Sequence, residues 1–168
     1  MRSSKRNNEI IRMNLKKKTT LAFLIAFAGI QFIQPAHNKS GQVFPTDISR
    51  LVSIPDSVRF VLKNACYDCH SNNTNYPWYS NIQPMGWLLA KHIKKGKAVL
   101  NFSEFGNFSS RKQLSKLTGV ANSIKDDNMP LSSYKWMHKN ARLTKDEKAV
   151  IINWVQQSKD SLSAKKVN

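Results

Sequence analysis

The sequence predicts an all-α fold, a small helical domain behind an apolar N-terminal segment. Apolar residues recur at helical spacing in four separate stretches, and no βαβ pattern is found between them. The length of 168 residues suits one small domain plus an N-terminal tail. The expected organisation is a basic flank (1–18), an apolar segment (19–35), a linker (36–53), the helical domain (54–160) and a disordered tail (161–168).

The N-terminal segment has the charge pattern of an export signal or a membrane anchor. Seven Lys and Arg residues stand in the first 18 positions against the single acid Glu9, and an apolar run follows over 21–33. The run is shorter than the about 20 residues that usually span a bilayer, yet no good cleavage site follows it. We expect an uncleaved anchor, with a cleaved signal as the alternative, and a domain in the bacterial periplasm.

Four stretches are predicted to form the helices of the domain. They cover about 55–65, 84–95, 110–125 and 144–158. Gly96 is expected to close the second helix, and a capping box of Thr144 and Glu147 to open the last. The first and last helices are expected to face each other, with Phe60 and Trp154 as their crossing contacts.

The five residues Cys66-Tyr67-Asp68-Cys69-His70 contain both cysteines of the chain. A C-x-x-C-H motif is the attachment signature of a c-type haem. One turn of chain presents two thiols to the vinyl groups of the porphyrin, and the next residue presents an imidazole to the iron. The motif predicts one covalent haem c on Cys66 and Cys69, with His70 as the proximal iron ligand.

Three other interpretations use the same cysteines. A thioredoxin-like redox pair also has C-x-x-C, but it usually follows a strand in a βαβ pattern. A structural zinc site would need two further ligands from His37, His92 and His138. A disulfide across two residues would be strained and would stabilise little. We favour haem attachment, because the motif uses both cysteines.

Two further stretches are candidates for the walls of a haem pocket. The aromatic residues of 76–79 could line a flat macrocycle or could belong to an ordinary core. The carbonyl of Pro77, or of a neighbour, could accept a hydrogen bond from the second ring nitrogen of His70. Met129, followed by a proline and placed between two predicted helices, is the expected distal iron ligand. His92, on the inward face of its helix, is the alternative ligand.

The chain is strongly basic, with a formal net charge of +17, of which +11 lies in residues 38–168. This charge favours anionic partners, either acidic faces of redox proteins or a membrane surface. An ordinary solvated surface would explain the charge equally well. Nucleic acid is not an expected partner, because no aromatic-basic binding motif accompanies the charge and the predicted compartment is wrong.

The order of these motifs resembles the bacterial haem-binding domain family, a small cytochrome-c-like group common in Bacteroidetes. The matching segments are 66–71, 76–79, 87–92, 100–104, 129–134 and 143–154. The resemblance implies a class I cytochrome c-like helical domain wrapped around one covalent haem on Cys66 and Cys69. It also implies His70 as the proximal ligand and a place on the outer side of the cytoplasmic membrane.

The expected function is that of a single-haem electron carrier with His70 and Met129 on the iron. Met/His ligation raises the reduction potential and leaves no iron position for a substrate. On this interpretation the chain is not an enzyme, and its partners are redox proteins with acidic docking surfaces. The alternative is a peroxidase-like enzyme or a haem-based sensor, in which the distal site is open or occupied by His92.

Overall fold

The computed structural model describes residues 2–165, with side chains from residue 14 onward, and it confirms the all-α prediction. The described residues form seven α-helices in succession: α1 (Arg2–Ile30), α2 (Asp56–Ala65), α3 (Tyr67–His70), α4 (Met85–Val99), α5 (Ser110–Lys125), α6 (Ser132–Met137) and α7 (Lys145–Ala164). Short 3₁₀ helices lie at Ile48–Arg50, Trp78–Asn81, Phe102–Asn107 and Lys139–Ala141. Within residues 2–165 there is no β-strand, only an isolated bridge between Lys39 and Asn73.

The chain forms two compact units. The first unit comprises the chain up to Ala36 together with Pro77–Ala90, and the second comprises His37–Tyr76 together with the chain from Lys91 onward. In the first unit, the chain that leaves α1 is hydrogen bonded to the segment 77–90. Gln83 is central to this contact, because it is fully buried and its side-chain amide donates to Gln34 Oε1 at 2.9 Å.

None of the described helices combines the length and the apolar character needed to cross a membrane.

One apolar core fills the second unit. Its buried members are Ile48, Val52, Ile54, Val58, Val61, Leu62, Leu100, Phe102, Phe105, Leu117, Ile124, Ile151, Trp154, Val155 and Leu162. Both α2 and α5 pack against α7. Trp154 of α7 is 2% exposed, and its indole N–H donates to the carbonyl of Ser53 at 2.9 Å. Phe60 is 61% exposed, so the predicted contact between Phe60 and Trp154 is wrong; α2 turns its other face inward.

The segment predicted as a linker contributes to this core. Ile48 is 0% exposed and Val52 is 5% exposed. The amide of Gly106 donates to the carbonyl of Thr46 at 2.7 Å, which fixes the segment against the 3₁₀ helix Phe102–Asn107. The mostly polar composition of 36–53 predicted a linker, but a few of its apolar residues are buried and pack against the domain.

The predicted helix bounds hold for α5 but not for the ends of α4 and α7. The capping box of Thr144 and Glu147 opens α7 as predicted. The helix then continues beyond Ser158 to Ala164, because Ser158 and Leu162 are buried on its inner face. Part of the predicted disordered tail is therefore helical, and residues 166–168 lie outside the described part of the chain.

Gly96 does not close α4 but lies inside it, where the helix passes close to α3. The amide of Leu100 donates to the carbonyl of Gly96 at 2.9 Å, so helical bonding continues through the glycine. A Cβ atom on Gly96 would overlap the carbonyl oxygen of Cys69 and would lie 3.2 Å from the Cys69 Cβ. The glycine therefore serves the close approach of α4 to α3.

We expect Gly96→Ala to lower the free energy of unfolding by roughly 1–3 kcal/mol, because the backbone of Cys69 must move away from α4. Thermal unfolding followed by circular dichroism measures the change. Gly29→Ala is the control, since an added Cβ in α1 meets nothing within 4 Å; it should change stability by less than about 1 kcal/mol. Equal unfolding midpoints for wild type and Gly96→Ala would show that the contact tolerates a methyl group.

Candidate functional site

The C-x-x-C-H motif forms a single helical turn directly after α2. Helix α2 ends at Ala65, and Cys66 leaves the helical conformation with φ −129° and ψ −47°. The amides of Cys69 and His70 then donate to the carbonyl of Cys66 at 3.2 and 3.0 Å. Because residues three and four apart share one face of a helical turn, both cysteines and His70 face the same side.

This side opens onto two adjoining cavities in the second unit. One has a volume of about 220 Å³ and is lined by both cysteines, His70 and Met129. The other has a volume of about 270 Å³ and shares Cys66, His70 and Met129 with the first. Much of the remaining lining is apolar, from Ala65, Val99, Leu100, Phe102, Val120, Ile124, Pro130 and Leu131. The motif therefore lies beside a cleft rather than in a filled core.

The imidazole of His70 is oriented by a backbone carbonyl. Its Nδ1 lies 3.0 Å from the carbonyl oxygen of Leu100. A carbonyl can only accept, so Nδ1 carries the hydrogen and Nε2 is left with its lone pair for a metal. The prediction that the carbonyl of Pro77 or of a neighbour accepts this hydrogen bond is wrong. Burial lowers the pKa of His70, while the bond to Leu100 opposes part of that shift, and a neutral imidazole is the form that binds iron.

A buried polar network fixes the segment that carries Leu100. Asn101 Nδ2 donates to Asn72 Oδ1 at 2.9 Å, and the amide of Asn72 donates to Ser103 Oγ at 3.1 Å. Asn72 Nδ2 in turn donates to Glu104 Oε1 at 2.8 Å. These bonds join the residues just after His70 to residues 101–104. In the sequence, the segment 100–104 stands out only because it resembles the family. The spacing of its residues does not indicate that it orients His70.

The two cysteines are free, partly buried thiols in this fold. Burial, with a smaller contribution from Cys69, raises the pKa of Cys66 to about 12. Burial, with a smaller contribution from Asp68, raises the pKa of Cys69 to about 11. A redox-active pair needs thiolate character near neutral pH, which these environments oppose. The thioredoxin-like and disulfide interpretations therefore gain no support.

Met129 lies on the loop between α5 and α6. The amides of Asn128 and Met129 both donate to the carbonyl of Ser123, at 3.0 and 3.1 Å. Asp127, at φ 55°, forms an ion pair with Lys148 of α7. The loop is thus bound to the end of α5 and to the first turns of α7, and Met129 lines both cavities beside the motif.

His92 also lines the first cavity, so both candidate distal ligands face the same space. The other two histidines have different neighbours: His37 stacks on Tyr76 at 4.3 Å, and His138 stacks on Tyr134 at 4.0 Å. Among the residues that the structure describes, no three His, Cys, Asp or Glu side chains form a group suited to a metal ion. The zinc interpretation thus has no geometric support.

The predicted aromatic wall is not where sequence reasoning placed it. Trp78 is 76% exposed, and the lining of both cavities comes instead from residues 65–70, 92–102, 115–124 and 129–134. One aromatic contact was missed: the Tyr134 hydroxyl donates to Asp68 Oδ2 at 2.6 Å. This bond ties α6 to the middle of the motif. The position of Tyr134 in the sequence, five residues after Met129, does not predict its hydrogen bond with Asp68.

The site fits a covalently bound haem in three observed respects. Two thiols and one imidazole face one space from a single turn, and the imidazole has its second nitrogen satisfied. The surrounding side chains are largely apolar, as the faces of a porphyrin require. Two side chains able to ligate iron, those of Met129 and His92, line the same space.

We expect Asn101→Ala to cost about 1–3 kcal/mol of unfolding free energy, because it leaves the buried Asn72 Oδ1 without its donor. The same change should loosen Leu100 and so broaden the ring NMR signals of His70. Asn122→Ala is the matched control, since Asn122 is exposed on α5. Chemical denaturation measures the first effect, and a loss no greater than that of the control would contradict the structural role of the network.

Comparison with protein families finds a match to the haem-binding domain over residues 25–157. Comparisons with curated proteins and with solved structures gave no significant match. The matched range contains the C-x-x-C-H turn, the 100–104 segment and Met129, so the resemblance to a haem-binding family is confirmed. Because the match covers well over half of the sequence, the chain belongs to the haem-binding domain family.

Proposed function

We propose that the chain is a c-type cytochrome that carries electrons at the periplasmic face of the cytoplasmic membrane. One observation carries the proposal: Cys66, Cys69 and His70 line one cavity from a single helical turn. The haem, when bound, supplies a one-electron redox centre whose potential depends on its ligands and surroundings. The side chains of this protein attach the haem, ligate its iron and form the cavity around it.

In this proposal each residue of the motif has a separate task. Cys66 and Cys69 form the thioether bonds that fix the haem, and His70 ligates the iron through Nε2. The carbonyl of Leu100 orients the imidazole and makes it a better donor. Val99 and Leu131 contribute apolar side chains to the wall of the first cavity. No residue acts as a catalyst.

We propose Met129 as the distal ligand. Its loop is fixed by the Ser123 carbonyl and by the Asp127–Lys148 ion pair, which holds the thioether close to its place before iron is bound. Methionine lining both cavities supports this choice over His92, which lines one. His92 supports the second candidate function, a peroxidase-like enzyme or a sensor with an open or histidine-bound distal site.

Redox proteins with acidic docking surfaces are the proposed partners. Lys95 lines the first cavity and Lys116 the second. Asp68 is an acidic residue in the lining of the first cavity, and its carboxylate accepts a hydrogen bond from the Tyr134 hydroxyl at 2.6 Å. The net charge of +11 over residues 38–168 extends this positive character. Such a field attracts acidic proteins and accelerates their association at low ionic strength.

The proposed location rests on the N-terminal segment. Lys16, Lys17 and Lys18 precede a helical stretch in which four apolar side chains are more than half exposed, those of Leu21, Phe23, Leu24 and Ile25. Exposed apolar residues beside a basic flank are typical of a segment that inserts into lipid, with the flank on the cytoplasmic side. The hydrogen bonds of Gln34 with Gln83 and Asn81 support an uncleaved segment, because cleavage after residue 35 would remove them.

We expect Cys66→Ala, Cys69→Ala and His70→Ala each to lose stable holoprotein, because each removes one attachment or ligand. The pyridine haemochrome spectrum of purified protein measures covalent haem. His37→Ala is the control, since its side chain is exposed and lines neither cavity. A wild-type protein that folds fully without haem would contradict the proposed function.

We expect Met129→Ala to abolish the near-infrared methionine-to-iron charge-transfer band and to lower the reduction potential by on the order of 100 mV, a fraction of the about 0.8 V range set by axial ligands. His92→Ala should leave both unchanged. Met137→Ala is the matched methionine control, because that residue lines neither cavity.

The opposite result has a defined meaning. If His92→Ala alone changes the spectrum, His92 is the distal ligand. If the wild-type ferric protein is high-spin and the reduced protein binds carbon monoxide, the distal site is open and the enzyme or sensor interpretation replaces the carrier.

A further inference from the structure

We propose that Trp78, Ile82 and Trp87, with Phe32 and Ile33, form a second lipid-contacting surface that lies in the interfacial layer of the bilayer. The inference rests on the proposed membrane location. It deepens that proposal by naming a segment, 77–90, that is distant in sequence from the N-terminal helix. All of these residues belong to the first unit.

Five hydrogen bonds connect the chain that leaves α1 to this segment. Gln31 exchanges two bonds with the backbone of Gln83, at 2.8 and 3.2 Å, and Gln34 accepts from the Gln83 side chain at 2.9 Å. Gln34 Nε2 donates to the carbonyl of Asn81 at 3.1 Å, and Trp87 Nε1 donates to the carbonyl of Ile33 at 2.8 Å. The segment 77–90 is thereby fixed beside the end of the apolar helix.

The apolar side chains of this unit are exposed to an unusual degree. Phe32 is 89% exposed, Trp78 76% and Ile33 63%. Of the sixteen large apolar side chains that are exposed within the described residues, twelve belong to the first unit, although it is less than a third of the chain. Soluble surfaces rarely collect apolar residues in this way without a partner that covers them.

Charge identifies lipid as the partner. Neither 19–36 nor 77–90 contains a charged residue, although Lys, Arg, Asp and Glu make up 22% of the whole sequence. A protein partner would tolerate charges at the rim of its contact, whereas the hydrocarbon region just below the interfacial layer disfavours them. Tryptophan prefers the interfacial layer, and the N–H of Trp87 is already satisfied by Ile33. At the other end of the apolar run, Lys16–Lys18 suit anionic headgroups.

The family match extends over 25–157 and so includes both parts of the surface, 25–36 and 77–90. The end of the apolar helix is thus matched together with the segment that it contacts.

The test places the photoreactive residue benzoylphenylalanine at Trp78 in the full-length haem protein. The protein is reconstituted in vesicles of phosphatidylethanolamine and phosphatidylglycerol, irradiated and weighed by mass spectrometry. Trp136 is the matched control site, because it is also 76% exposed but lies on α6 in the second unit. We expect at least about ten-fold more lipid adduct from position 78 than from position 136.

A third site, Phe27 on α1, separates this inference from the proposed location. Lipid adducts at Phe27 without adducts at Trp78 would overturn the second surface and leave the membrane location intact. No lipid adduct at either site would overturn both. A Trp78 adduct with the mass of a second protein chain would assign the surface to a protein partner and would also overturn the proposal.

Discussion

The hydrogen bond between His70 Nδ1 and the carbonyl oxygen of Leu100, 3.0 Å long, determines how the motif can act. Helix α3 is a single turn, and one turn has too few hydrogen bonds to hold its own orientation. Leu100 is fixed from two sides. Its own amide donates a hydrogen bond to the carbonyl of Gly96 in α4, and the next residue, Asn101, is hydrogen bonded to Asn72. The direction of the imidazole is therefore set by residues far away in sequence.

The cavities beside the motif are a gap in the packing of the second unit. Ile124 is a core residue and lines one cavity, so the space borders directly on the core. Side chains facing such a gap lack dispersion contacts on one side. On the proposed function the porphyrin supplies those contacts, and haem binding then stabilises the folded state as any ligand selective for it does. On this proposal, folding and haem binding would be coupled for this reason.

The distribution of charge separates two kinds of surface. The second unit contains Lys95 and Lys116 beside the cavities, whereas the first unit contains no charged residue in 19–36 or 77–90. Fields from exposed lysines act over about a Debye length of 10 Å and favour transient partners. Apolar burial acts only on contact and favours a lasting association. The two proposals about partners follow from this difference.

The sequence alone was sufficient to locate four of the seven described helices, α2, α4, α5 and α7, and to single out the C-x-x-C-H motif. Helical spacing located α2 and α5, and Thr144 with Glu147 located the start of α7, because these signals depend on neighbours within a few residues. Cys66, Cys69 and His70 were also recognisable, since their spacing is itself the chemical requirement. The acceptor for His70, the close approach at Gly96, and the exposure of Phe60 and Trp78 were decided by tertiary structure. Each depends on which segments meet in space, and a local pattern contains no information about a partner thirty residues away, as between His70 and Leu100.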